Sequence, residues 1–174
     1  MAKIRSTLDI VMEKTRDLSL SESDRADIRK KELEDRVRGW VQLFLDGKNS
    51  LDDMKERVDH ETAAGLDVRS VLRREILGRV DPDADVSGLV AAMERVLGED
   101  GSIVTRAVED YRAELASGRE SFMSAVRARL ASRGVSGKAV VPNLNADDEW
   151  KGHVASMKDR LVAGLLASQG DAQR

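Results

Sequence analysis

Apolar residues recur every three or four positions along most of the chain, the spacing of one face of an α-helix. Residues 28–45 follow this spacing and carry two aromatic side chains, Trp40 and Phe44, in their last two turns. Aromatic side chains bury more area than aliphatic ones, so this segment is predicted to anchor the core. We expect Trp40→Ala and Phe44→Ala to cost about 3 to 5 kcal/mol each. The positions predicted to be buried are Ile28, Leu33, Val37, Trp40, Val41, Phe44 and Leu45.

Capping residues and glycines divide the chain into about seven predicted helices. Ser21 with Asp24, and Ser50 with Asp53, have the spacing at which a serine and a carboxylate cap a helix start reciprocally. Glycines follow several of the apolar repeats, as is common where a helix ends. The predicted helices are 6–18, 21–46, 50–64, 68–80, 86–97, 102–133 and 146–168.

The longest predicted helix, 102–133, contains a serine–glycine pair, Ser117 and Gly118, near its middle. Glycine in a helix interior costs about 1 kcal/mol relative to alanine. This position is therefore predicted to mark a bend in the helix or a close contact with another helix.

A long irregular loop, residues 134–145, follows this helix and combines glycines with apolar residues. Pro142 favours an extended conformation of Val141. Long irregular connections in compact domains are often functional. Two interpretations stay open: the apolar side chains close the open end of the bundle, or they dock on a partner such as a second copy of the chain. The candidate partner-binding residues are Val140, Val141, Pro142 and Leu144.

Composition agrees with a helical protein. Of the 174 residues, 41% are hydrophobic and 35% are charged, with only two prolines and 3% aromatic residues. This balance favours helix formers over strand formers. The predicted fold is an all-α, irregular bundle with one domain, residues 1–174, and the acidic stretch near 81–100 is the best candidate for a boundary. No internal repeat with a fixed period is present.

Charge and cysteine content exclude several classes of function. The net charge of −3 provides no global positive field for nucleic acid or anionic lipid. The absence of cysteine excludes disulfides and Cys-ligated metal centres. No apolar run reaches the roughly 20 residues that span a bilayer. Asp9 and Glu13 interrupt the N-terminal apolar run, so we expect a cytoplasmic location.

Two Glu–His pairs are the candidate metal ligands. Glu56 with His60, and Glu149 with His153, are four residues apart, which places both side chains of each pair on one helix face. No further carboxylates occur on the apolar stripes to complete a site. We therefore predict no stoichiometric metal and no cofactor.

Catalytic motifs are incomplete. Ala64 stands where a zinc-protease motif that began at His60 would need its second histidine. Gly137 and Lys138 lack the other residues of a phosphate-binding loop, and no Gly-x-Ser-x-Gly elbow occurs. The acidic triplet 147–149 lies at a predicted helix start, where carboxylates stabilise the helix dipole. Nothing in these patterns predicts an enzyme.

Clustered arginines support nucleic-acid binding as the alternative function. The predicted helix 68–80 follows a glycine-containing turn, in the outline of a helix-turn-helix, but Glu61 occupies a position where close packing needs a small residue. A second cluster lies at the end of the longest helix, where cations also stabilise the helix C-terminus. The residues involved are Arg69, Arg73, Arg74 and Arg79 in the first cluster, and Arg127, Arg129, Arg133 and Lys138 in the second.

Three segments, IRSTLDIVMEKTRDL, SGKAVVPNL and DDEW, resemble an uncharacterised family of short, helical bacterial proteins. The resemblance covers most of the chain and implies a bacterial, cytoplasmic, single-domain protein, with no activity to assign to any residue. The function we predict is a non-catalytic interaction or adaptor protein, or a self-associating subunit, because amphipathic helices are abundant and catalytic constellations are missing.

Overall fold

The computed structural model describes residues 21–168, of which 76% are helical and none lies in a strand. The prediction of an all-α bundle is confirmed for this part of the chain, whereas the predicted helix 6–18 lies outside it. The α-helices are α1 (Glu22–Leu45), α2 (Leu51–Ala63), α3 (Val68–Gly78), α4 (Ser87–Ala92), α5 (Ser102–Ser132) and α6 (Asp148–Ala167). None of these helices is long and apolar enough to cross a membrane.

Side-chain caps mark the starts of α1, α2 and α6. The Ser21 hydroxyl accepts a hydrogen bond from the Asp24 amide at 3.1 Å, and the Asp24 carboxylate accepts one from the Ser21 amide at 3.0 Å. Ser50 and Asp53 form the same reciprocal pair at the start of α2. The Asp147 carboxylate accepts from the Trp150 amide at 3.0 Å, so the acidic triplet does cap a helix. These starts follow the sequence closely because each cap depends only on neighbouring residues.

Two helices differ from their predicted form. The predicted helix 86–97 is α-helical only to Ala92 and continues as a π-helical turn, Met93–Leu97. The last helix begins at Asp148, after a 3₁₀ turn, Leu144–Ala146, and not at residue 146. The apolar spacing does not distinguish the π turn from an α-helix, since Met93, Val96 and Leu97 are all buried.

The core is centred on α3, which contacts α1, α2 and α6. Leu72 and Ile76 in α3 have no exposed surface. The core includes residues on both sides of the acidic stretch, and the boundary proposed near 81–100 stays a prediction. The buried core residues are Leu33, Val37, Val41, Met54, Val58, Val68, Leu72, Ile76, Leu77, Val80, Leu89, Ala92, Met93, Val96, Leu97, Val104, Val108 and Leu165.

The predicted buried stripe of α1 is only partly correct. Leu33, Val37 and Val41 belong to the core, but Ile28 is 43% exposed and Leu45 is 46% exposed. Residues 21–32 are exposed throughout, because this end of α1 extends past the helices it packs on. Trp40 and Phe44 are partly buried at the edge of the core. Their truncation is therefore expected to cost less than the about 3 to 5 kcal/mol of a fully buried aromatic residue.

Beyond the core, α5 and α6 form an antiparallel hairpin. No residue of α5 after Tyr111 is buried, and Phe122 packs against two α6 side chains instead. The ring centroid of Phe122 lies 5.1 Å from that of Trp150 and 5.1 Å from that of His153. A Cβ at Gly118 would lie 3.3 Å from His153 Nε2. The close helix contact predicted at Gly118 is thus present, while α5 continues unbroken through it.

A polar clamp holds the acidic connector between α3 and α4 against this hairpin. Lys158 Nζ lies 3.0 Å from Asp81 Oδ1 and 2.7 Å from Asp83 Oδ2. The guanidinium of Arg112 donates to the Pro82 carbonyl at 3.0 Å, and the Tyr111 hydroxyl donates to Asp83 at 3.4 Å. The connector is therefore attached to both α5 and α6.

Candidate interaction surface at the hairpin tip

The hairpin tip, residues 127–147, joins α5 to α6 and carries cations that find no counterion among the described residues. Arg127, Arg133 and Lys138 form no ion pair with any residue in the range 21–168. Arg129 differs, because it pairs with Asp147 and lies 3.4 Å from the Glu149 carboxylate. The tip is consequently positive in a chain whose net charge is −3.

The four predicted partner-binding residues of the loop differ in accessibility. Leu144 is 5% exposed and Pro142 is buried, whereas Val141 is 75% exposed and Val140 is half-buried. Val135, at the start of the loop, is 48% exposed. The two interpretations of the loop therefore apply to different residues. Pro142 and Leu144 face inward, as closing the end of the hairpin requires, and Val141 can contact a partner.

The arginines predicted for nucleic-acid binding in the first cluster are engaged by other groups of the chain. Arg73 Nε donates to the Glu99 carboxylate at 2.6 Å, and these hydrogen bonds raise the pKa of Arg73. Arg74 Nη2 lies 2.7 Å from Glu34 Oε1 in α1. Their charges are compensated within the chain, unlike those of Arg127, Arg133 and Lys138, which form no ion pair within residues 21–168. Arg69 donates to the Leu97 carbonyl at 2.9 Å and lies 3.7 Å from Asp59, and Arg79 lies 3.0 Å from Glu75 and donates to the Gln42 side chain.

The two Glu–His pairs lie in different surroundings. Glu149 is paired with Arg129, and His153 lies in the aromatic cluster of the hairpin. Glu56 and His60 are exposed on α2. Within residues 21–168, no three His, Cys, Asp or Glu side chains are grouped so that they could hold a metal ion.

Sequence reasoning identified the cations of the tip but not what distinguishes them, since Lys55, Arg106 and Arg119 also form no ion pair within residues 21–168. The signal that could have found it is a stretch without acidic residues: no aspartate or glutamate occurs from 121 to 146, although the chain has 32 of them. The ion pairs of the tip that the structure describes both involve Arg129, with Asp147 and Glu149 at the start of α6. A charge count along the chain would have separated this cluster from that of α3.

Comparison of the chain with protein-family models, with curated proteins and with solved structures gives no match. The resemblance drawn from the sequence to a family of helical bacterial proteins stays a prediction.

Proposed function

We propose that this chain is a non-catalytic interaction protein, an adaptor or a self-associating subunit, which binds its partner through the hairpin tip. The observation that carries this proposal is that Arg127, Arg133 and Lys138, which form no ion pair within residues 21–168, belong to the same hairpin tip as the exposed side chain of Val141. A polar rim around an apolar contact is typical of a surface that binds another protein.

Buried residues of the tip support this role by holding its exposed side chains in position. Leu144 and Pro142 are buried, and the 3₁₀ turn that contains Leu144 contacts both α5 and α6. The exposed valines are therefore presented on an ordered base, which reduces the conformational entropy lost on binding.

Two substitutions in the loop separate binding from stability. Val141→Ser should leave the melting temperature unchanged and weaken association, because this side chain is 75% exposed. Leu144→Ala should lower the free energy of unfolding by about 2 to 5 kcal/mol, as for a buried leucine. Leu45→Ser, at a site 46% exposed and far from the tip along the chain, is the matched control.

The measurement is the hydrodynamic size of the complexes that contain the chain, both purified and in extract of the cells that produce it. The proposal fails if Val141→Ser and the double substitution Arg133→Glu/Lys138→Glu leave these complexes unchanged in both settings. A change in melting temperature for Val141→Ser would instead assign the loop to stability alone.

Nucleic-acid binding is the second candidate, and the acid-free stretch around Arg127, Arg133 and Lys138 is the observation that favours it. Three phosphate contacts would give a slope of about −2.7 for the logarithm of the duplex DNA affinity against the logarithm of the salt concentration. A slope near zero, or no binding, excludes this candidate.

A further inference from the structure

The core ends of α5 and α6 enclose a second apolar surface. It is a groove of about 350 Å³, which we call the α5–α6 groove. A depression of about 320 Å³ adjoins it across Ile103, which is 38% exposed. The apolar residues that line the groove are Ile103, Ala107, Tyr111, Met157, Leu161 and Leu165.

The rim of this groove is mainly acidic. Asp110 is exposed and forms no ion pair within the described part of the chain, and Asp100 borders the adjoining depression. Glu114 lies on the same rim and pairs with Arg160 at 2.9 Å, and the adjoining depression also contains the ion pair of Arg73 with Glu99. The groove thus differs from the hairpin tip in the sign of its excess charge: Asp110 and Glu114 outnumber Arg160 in the groove lining, whereas the cations of the tip outnumber its carboxylate, Asp147.

From this complementarity we propose that the hairpin tip of one copy docks in the α5–α6 groove of a second copy. Val141 and Val135 enter the apolar groove, while Arg133 and Lys138 approach Asp110 and Glu114. Apolar burial stabilises the contact, and the opposite charges set its orientation and partner choice. This inference rests on the proposed function, because it identifies the partner of the hairpin tip as a second copy of the chain.

The tip cannot reach the groove of its own chain. Both surfaces belong to the same hairpin, and α5 is unbroken between them. Glu114 is the groove residue of α5 closest to the tip, and Arg133 lies about 28 Å further along the helix axis. The contact therefore joins two copies through different surfaces. Such a contact repeats from copy to copy and yields a closed ring or an open filament.

The first test is the mass of the purified full-length chain in sedimentation experiments at concentrations up to about 1 mM, where weak contacts are populated. We expect assemblies that grow with concentration in about 0.1 M salt and weaken in about 1 M salt, where the Debye length falls from about 10 Å to about 3 Å. The inference is wrong if the chain stays monomeric at every concentration. This holds both for an empty groove and for a groove covered by residues 1–20 of the same chain.

Charge reversal on each surface gives the decisive experiment. Arg133→Glu/Lys138→Glu makes the tip acidic, and Asp110→Lys/Glu114→Lys makes the groove rim basic. Each variant alone should associate at least about tenfold more weakly than the wild type, because like charges then oppose each other. An equimolar mixture should assemble again, since each variant carries the charges that the other one lacks.

The control is Lys30→Glu/Lys31→Glu, which changes the net charge as much as the tip variant does, at exposed positions of α1. It should assemble like the wild type, and every variant should keep the wild-type melting temperature. The inference is wrong if the mixture stays monomeric or if the α1 variant loses assembly equally.

The outcomes also separate this inference from the proposed function. If only the inference fails, the purified chain is monomeric but complexes in cell extract still depend on the tip. If the proposed function fails as well, tip variants change nothing in either setting.

Discussion

Two glycines in helix interiors, Gly39 and Gly118, have different surroundings. A Cβ at Gly39 would have nothing within 4 Å, whereas a Cβ at Gly118 would press on His153. We expect Gly39→Ala to raise the free energy of unfolding by up to about 1 kcal/mol through helix propensity. Gly118→Ala should raise the free energy of unfolding clearly less, because the imidazole of His153 has to move to make room for the new Cβ. Urea denaturation measures both, and equal gains would show that His153 is not held in place.

Burial at single positions gives a second contrast between two aliphatic side chains. Leu72 is fully buried at the centre of the core, and Ile28 is 43% exposed on α1. Leu72→Ala should lower the free energy of unfolding by about 2 to 5 kcal/mol. Ile28→Ala should change it by less than about 0.5 kcal/mol. Similar losses for the two variants would contradict the exposure of the first turns of α1.

At the residue scale, the sequence predicted what depends on neighbours along the chain. Ser21 and Ser50 could be identified as caps because their partners are three residues away. The burial of Ile28 and Leu45 was predicted wrongly, since periodicity shows which face of α1 is apolar but not how far the other helices extend along it. That length depends on tertiary packing, which a helical period does not encode.

The clamp on the acidic connector gives a prediction at the scale of elements. Hydrogen bonds from Lys158 and from the Asp83 amide hold the pKa of Asp81 below its usual range, and those to Asp83 and Asp81 raise the pKa of Lys158. The stability that the ionised Asp81 carboxylate contributes is present above its unfolded pKa of about 3.9. It is lost as the pH falls through the lower pKa of the folded state. The contribution of Lys158 is complete below about pH 10.4 and is lost at higher pH.

Asp81→Asn should therefore destabilise the protein at neutral pH and have a diminishing effect toward pH 3. The loss should not exceed about 1 kcal/mol, because the side chains are partly exposed and screened by solvent. Asp110→Asn is the control, since its carboxylate forms no ion pair in the described structure. Urea denaturation across pH tests this, and a constant difference between wild type and Asp81→Asn at all pH values would contradict the clamp.

Helix positions were predictable because caps and glycine stops are local signals, but two features of the elements were not. The π turn at Met93–Leu97 keeps the same apolar spacing as an α-helix, so no pattern marked it. The loop 134–145 was treated as one unit, although Leu144 is buried and Val141 is exposed. Leu144 is buried because its 3₁₀ turn contacts both α5 and α6. The sequence of the loop alone does not show these contacts.

For the whole molecule, we expect the purified protein to contain no stoichiometric transition metal. The His60 and His153 sites are far apart in sequence and lie in unrelated surroundings, and neither gathers a third ligand within residues 21–168. Elemental analysis after dialysis checks this. About one metal per chain, lost on His60→Ala or His153→Ala, would contradict it.

The relation between the two proposed contact surfaces could not be predicted from sequence. The groove requires α5 and α6 to separate near Ile103 and to pack closely near Gly118. Composition and periodicity predicted that both helices exist and which residues are apolar. They did not predict the antiparallel pairing that places the positive tip and the acidic groove rim at opposite ends of one hairpin.

The continuity of α5 restricts how the reach of the hairpin can change in evolution or design. Residues added to its outer half move the tip outward by about 1.5 Å each and rotate it by about 100° around the helix axis. Four added residues turn the tip by about 40°, whereas eighteen lengthen the arm by about 27 Å and restore its direction. Insertions are therefore tolerated in near-whole numbers of turns, and α6 has to lengthen by the same amount.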